Sequence, residues 1–185
     1  MFEIFQKLEP KDVLTLCVGT IALLVSVGNF MHSVSSKSKD ARKSAQNLFD
    51  TTILDIVELR KDREDYRLEH GEDWGKHKFG SLRVSLNDRR HLLISQATSL
   101  LKNYKLDVPD VAYVIIGAAF SETGRPGEAV RFYEKAVELA ITPIEKAWAR
   151  RPYGQALLKA GELEKGRKQL LLSITDLRSL AEHPG

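Results

Sequence analysis

The chain has 185 residues, enough for one soluble domain and an appendage. Hydrophobic residues make up 43% and charged residues 29%, a balance that excludes wholesale disorder. The 28 basic and 25 acidic side chains leave a net charge of +3, too thin an excess for a nucleic-acid face. One cysteine, Cys17, excludes both an intrachain disulfide framework and a thiolate metal centre.

Residues 1–12 form a short N-terminal flank. Asp12 and Lys37 then bracket the longest uncharged stretch, whose apolar heart at 13–31 reads VLTLCVGTIALLVSVGNFM. As a helix this heart spans about 28 Å, close to the hydrocarbon thickness of a bilayer. A single transmembrane helix is therefore expected over 13–34. A cleaved signal peptide competes, because Ser33, Val34 and Ser35 resemble a small-x-small cleavage site. Against it, Glu3, Glu9 and Asp12 precede the run, and the run exceeds the usual apolar region of about 7–15 residues. Lys37, Lys39, Arg42 and Lys43 outnumber Lys7 and Lys11, a bias that favours a cytoplasmic soluble part. Within the segment Thr15, Gly19, Ala22, Ser26, Asn29 and Ser33 follow one another at helical spacing. Gly19, Ala22, Ser26 and Asn29 are the candidate pairing residues, since small side chains let helix backbones approach and an amide can bond across. Such pairing would make a homo-oligomer.

Residues 35–108 are expected to hold an amphipathic juxtamembrane helix and a second helix. Over 38–70 there is no proline or glycine, and Ala45, Leu48, Phe49, Thr52, Ile53, Ile56 and Leu59 recur at helical spacing. The highly charged run at 58–70 reads as a solvated face. Gly71, Gly75 and Gly80 break the pattern. His70, Glu72, Asp73 and His77 match no compact zinc spacing, so neither metal nor cofactor is expected. A second helix follows over 87–104, with Leu92, Leu93, Ala97, Leu100 and Leu101 on its apolar side. Pro109 ends that region.

From Pro109 the character changes. Asp110 is a plausible N-cap for a helix over 111–121, and Thr123 to Gly127 form a tight connection to a helix over 128–139. Tyr113, Ile116, Gly117 and Phe120, then Gly124, then Ala129, Tyr133 and Ala136, fall at fixed offsets. Here the chain resembles a tetratricopeptide repeat, whose signature is W-x2-L-G-x2-Y followed by A-x3-F. The physical sense is that Gly117 and Ala129 let two helices touch while aromatic rings fill the remaining space. A degenerate second unit covers 143–182, with Tyr153-Gly154 and Gly161 echoing Ile116-Gly117 and Gly124. Arg150 replaces the family tryptophan, and Pro152 is expected to kink its helix. Leu170, Leu171, Ile174, Leu177 and Leu180 are expected to cap the array.

With the transmembrane helix read from the apolar run at its N-terminus, the chain is expected to be all-α, and the resemblance implies a helical domain ending in two such hairpins at 109–182, α-solenoid in type. It implies a binding groove lined by the first helix of each unit. Those positions are Val114, Ala118 and Ser121 from the unit at 110–142, and Trp148, Arg151, Gln155 and Lys159 from the second. Two cations and an amide beside an indole suit an acidic peptide or a C-terminal carboxylate. No phosphate loop, nucleophile elbow or HExxH occurs, so no enzyme is expected. The resulting expectation is a membrane-tethered scaffold that binds a protein or peptide partner and no nucleic acid. Two alternatives stay open: an extracytoplasmic accessory protein of a secretion or envelope complex, and a self-assembling structural membrane protein.

Overall fold

In the computed structural model, the described backbone covers residues 10–71 and 79–182, with side chains described over 38–71 and 79–178. The described residues form six α-helices and no strand. They are α1 Pro10–His70, α2 Gly80–Asn103, α3 Asp110–Glu122, α4 Pro126–Leu139, α5 Pro143–Lys159 and α6 Leu163–Glu182. The chain divides into two compact units, Met1–Ser44 and Ala45–Gly185. The first contributes α1 backbone from Pro10 and the side chains of 38–44 to the described residues. The side chains of the proposed membrane segment, including Gly19, Ala22, Ser26 and Asn29, lie outside them. Among the described residues no helix is long and apolar enough to cross a membrane.

The second unit is built from amphipathic helices. Ala45, Phe49, Thr52, Ile53, Ile56 and Leu59 are buried at helical spacing along α1. Thr52 is tolerated there because its hydroxyl donates to the Leu48 carbonyl at 2.7 Å. Leu48 itself faces outward. Gly71, with φ +49°, supplies the left-handed residue after the last turn. α2 starts seven residues earlier than the sequence suggests, at Gly80 rather than Asn87, without a side-chain cap. It buries Arg90, Leu93, Ile94, Ala97 and Leu100. Leu92, expected inside, is exposed. The inward face is taken instead by Ile94, two residues on and so about 200° round the helix.

The extended connection after α2 is held by one side chain. Gln46 donates to the Asp107 carbonyl at 3.0 Å and accepts from the Asp107 amide at 2.9 Å. Pro109, in an extended conformation, takes the N-cap position of α3, so Asp110 sits in the first turn instead of capping it. The two following hairpins close with the same turn. At Gly124 (φ +75°) the Arg125 amide donates to the Phe120 carbonyl, and the Gly124 amide to Ser121. At Gly161 (φ +87°) Glu162 and Gly161 donate to Leu157 and Leu158 in the same pattern. Both are Schellman closures, which need a residue that accepts positive φ.

α3 packs on α4, α4 on α5, and α5 on α6, while α2 and α5 also touch α3. Ile116, Gly117, Phe120, Ala129, Tyr133 and Ala136 are all buried in the α3–α4 hairpin. A Cβ on Gly117 would meet the Tyr133 ring at 3.0 Å. Phe120 stacks on Phe132 at 5.1 Å, and Tyr113 is tilted against Phe132 at 6.4 Å. The α5–α6 crossing is closer still. A Cβ on Gly154 would lie 2.9 Å from the Gly166 carbonyl oxygen, and one on Gly166 would lie 3.0 Å from that of Gly154. α5 opens with a capping box: Glu145 N–H donates to the Thr142 hydroxyl at 3.2 Å, and the Thr142 amide donates to the Glu145 carboxylate at 2.8 Å. α5 continues through Pro152 as one helix.

One core runs through the second unit, joining α1, α2, α3, α4 and α5. α6 contributes least to it. Leu171, Ile174 and Leu177 are exposed rather than capping the array, and only Gly166 and Ser173 of the described α6 side chains are buried. Gly166 explains the choice of face. Leu171 and Ile174 stand about 140° and 80° round the helix from Gly166, off the face that meets α5, while Leu177, about 20° from it, lies beside Ala147 and Trp148. Leu180 lies outside the described side chains.

Candidate functional site

Two places gather chemistry. The first is on α5 and α6. Trp148 is 73% exposed and Arg151, one turn on, is also exposed. With Ala147, Ser173 and Leu177 they line a cavity of about 250 Å³. Its walls are fixed from behind. The buried Ser173 hydroxyl donates to the Ala147 carbonyl at 3.0 Å, and Arg150 pairs with Asp176 at 2.6 Å. The Tyr153 hydroxyl, whose pKa is raised by burial and by nearby Glu134, donates to the Glu134 carboxylate at 3.4 Å and ties α5 to α4. An indole, a leucine and a guanidinium around one hollow offer an apolar contact and a charge-assisted hydrogen bond together.

The other groove positions fall elsewhere. Gln155 and Lys159 are exposed farther along α5 and do not line this cavity. Val114 is half-buried against the core. Ser121 hydrogen-bonds to the Tyr133 phenol, whose pKa is pushed up by burial. Ala118 lines a separate cavity, and that is the second place.

This smaller cavity, about 70 Å³, lies among α1, α2 and α3. It is lined by Ile56, Val57, Arg60, Arg90, Ile115, Ala118, Ala119 and Glu122. Three guanidiniums converge on one carboxylate. Arg60 Nε lies 3.1 Å from Glu122 Oε1, and Arg90 Nη1 and Arg63 Nη1 lie 3.3 and 3.8 Å from Glu122 Oε2. Arg60 is 65% exposed and the Glu122 side chain 26%, but the Arg90 side chain is only 2% exposed. Neither terminal nitrogen of Arg90 has a hydrogen-bond partner. Burial pulls the Arg90 pKa below its ordinary value, against the opposing pull of Glu122.

Sequence reasoning missed this cluster. It took 58–70 as a solvated face, yet Arg60 and Arg63 continue the Ile53–Ile56 stripe at helical spacing. Arg90 likewise precedes Leu93, Ile94 and Ala97 on the inward stripe of α2. A cation in phase with apolar neighbours was the available signal. Among the described residues no group of three or more His, Cys, Asp or Glu could hold a metal ion; Glu72, Asp73 and His77 lie outside them. No protein-family model matches this chain, and no curated protein matches it.

Proposed function

We propose that this chain is a membrane-tethered adaptor. Residues 13–34 form its anchor, and helical hairpins resembling tetratricopeptide repeats hold a protein partner beside the bilayer, with no catalytic step. The observation that carries the reading is the cavity bearing Trp148, Arg151 and Leu177. A large aromatic left 73% exposed contributes little to folding, whereas indoles and arginines dominate binding energy at interfaces. The matching turns at Gly124 and Gly161, and the glycine contacts inside each hairpin, support the repeat reading. The partner is an acidic, partly apolar segment, because the cavity pairs Leu177 and the indole with Arg151.

The test is binding of a leucine–glutamate hexapeptide to the full chain in detergent, with a leucine–lysine hexapeptide as control. The acidic peptide binds and the basic one does not. Trp148→Ala leaves stability within about 0.5 kcal/mol and weakens peptide binding by roughly 2 kcal/mol. Equal affinity of the variant and the parent for the acidic peptide refutes the site. Release of the full chain from membranes by alkaline carbonate refutes the anchor.

A further inference from the structure

We propose that Arg60, which lines the cavity among α1, α2 and α3, and Arg63, one turn on along α1 and 3.8 Å from the same Glu122, receive a carboxylate carried on a short aliphatic stem. The site is separate from the Trp148 cavity and goes beyond the reading based on it. The argument begins with Glu122. One carboxylate with two oxygens faces three guanidiniums at ion-pair range, and Glu64, itself paired with Arg67, acts on Arg60 and Arg63 only through its charge. Arg60 holds Oε1 at 3.1 Å, while Arg90 Nη1 approaches Oε2 at 3.3 Å without forming an aligned hydrogen bond. The buried guanidinium is thus the one worst served, although an unpaired buried charge is the costliest to leave unsatisfied.

A second carboxylate at Arg60 and Arg63 changes this arrangement. Both side chains reach solvent, being 65% and 38% exposed, so a ligand meets them without unfolding the site. Once they bind the newcomer, Glu122 is free to turn onto Arg90 and complete its hydrogen bonds. Two carboxylates then face three guanidiniums, the newcomer on Arg60 and Arg63 and Glu122 on Arg90. The remaining lining selects the stem: Ile56, Val57, Ile115, Ala118 and Ala119 present hydrocarbon around about 70 Å³, room for a few methylenes. A phosphate would meet that hydrocarbon with oxygen on every side, whereas an alkyl carboxylate matches both halves. An acidic side chain of a partner protein and a free small carboxylic acid share this chemistry.

The experiment titrates the full chain in detergent with sodium butyrate, following arginine Nε–Hε signals by NMR. Butyramide, sodium acetate and sodium chloride at matched ionic strength serve as comparisons. Butyrate shifts the Arg60 and Arg90 signals saturably and more tightly than acetate; butyramide and chloride do not. Arg60→Gln with Arg63→Gln weakens butyrate about tenfold or more. Ala118→Met, which fills the cavity, abolishes the preference for butyrate over acetate. Trp148→Ala leaves butyrate binding unchanged, so failure here is distinguishable from failure of the adaptor reading. A C-terminally amidated glutamate peptide that binds tighter than butyrate identifies a chain-borne source; equal or weaker binding identifies a free acid. Shifts that chloride reproduces, or that survive the double arginine variant, overturn the proposal.

Discussion

Substituting Gly154 by alanine tests the closest contact in the fold. Alanine in a helix interior is favoured over glycine by about 1 kcal/mol, so open space would make the change stabilising. The new Cβ instead lies 2.8 Å from Leu170 Cγ and 2.9 Å from the Gly166 carbonyl oxygen. The leucine can rotate away. The carbonyl cannot, because it belongs to the α6 backbone, and so the two helices must separate. Overpacking costs roughly 1–3 kcal/mol, and a contact with rigid backbone belongs to the upper half of that range, about 2–3 kcal/mol, leaving a net loss of about 1–2 kcal/mol after the propensity gain. Gly117→Ala is the matched control. The three atoms nearest its Cβ all belong to the Tyr133 ring, at 3.0–3.1 Å, and a side chain can give by a few tenths of an ångström. Strain and propensity then cancel to within about 0.5 kcal/mol. Urea unfolding followed by circular dichroism ranks both variants against the parent. A Gly154→Ala chain as stable as the parent, or less impaired than Gly117→Ala, would refute the reasoning.

Gly117→Leu places three further carbons against Tyr133, so it destabilises by about 1–3 kcal/mol in the same assay. Thr142→Ala removes the cap of α5 and costs about 1 kcal/mol. Glu145 has its pKa lowered by hydrogen bonds from the Thr142 and Ile141 amides. Its contribution is therefore present above the ordinary value of 4.5 and fades as pH falls through the lower folded value; a pH series of parent and Glu145→Gln should converge in acid. Glu122→Gln strands the Arg90 charge and costs about 2 kcal/mol, whereas Arg90→Met, which removes that charge but keeps apolar bulk, is neutral or stabilising. Thermal unfolding that ranks those two variants the other way round would show that Arg90 is well satisfied.

The all-helical architecture was legible because its signals are local. Helical spacing marked the buried face of α1, and Gly117, Ala129 and Tyr133 marked the α3–α4 hairpin within a few turns of one another. Gly124 and Gly161 announced their turns because only positive φ closes them without strain. What stayed hidden depended on partners distant in the chain. Arg60 reads as one charge in a charged run until Glu122 arrives from α3, and Arg90 reads as exposed until α1 and α3 enclose it. Leu171 and Ile174 belong to a persuasive stripe, but the glycine contact at Gly166 sets which face of α6 turns inward. The groove residues divided for a related reason. Ala118 faces a cavity shared with α1, whose position no residue of α3 specifies.

The junction of α1 with α2 and α3 also fixes an order of events during synthesis. α3 to α6 pack against sequence neighbours, contacts that close quickly. Phe49, Ile53, Ile56 and Leu59 instead share a core with Ile94, Ile116 and Phe120, all made later in the chain. The α1 stripe leaves the ribosome well before the side chains that cover it, and Gln46 waits for Asp107 over the same interval. Through that interval the stripe is an uncovered hydrophobic surface, open to a chaperone or to another nascent chain. The vulnerable moment in the life of this protein is thus its translation, and slowing the ribosome between α1 and α3 lengthens it.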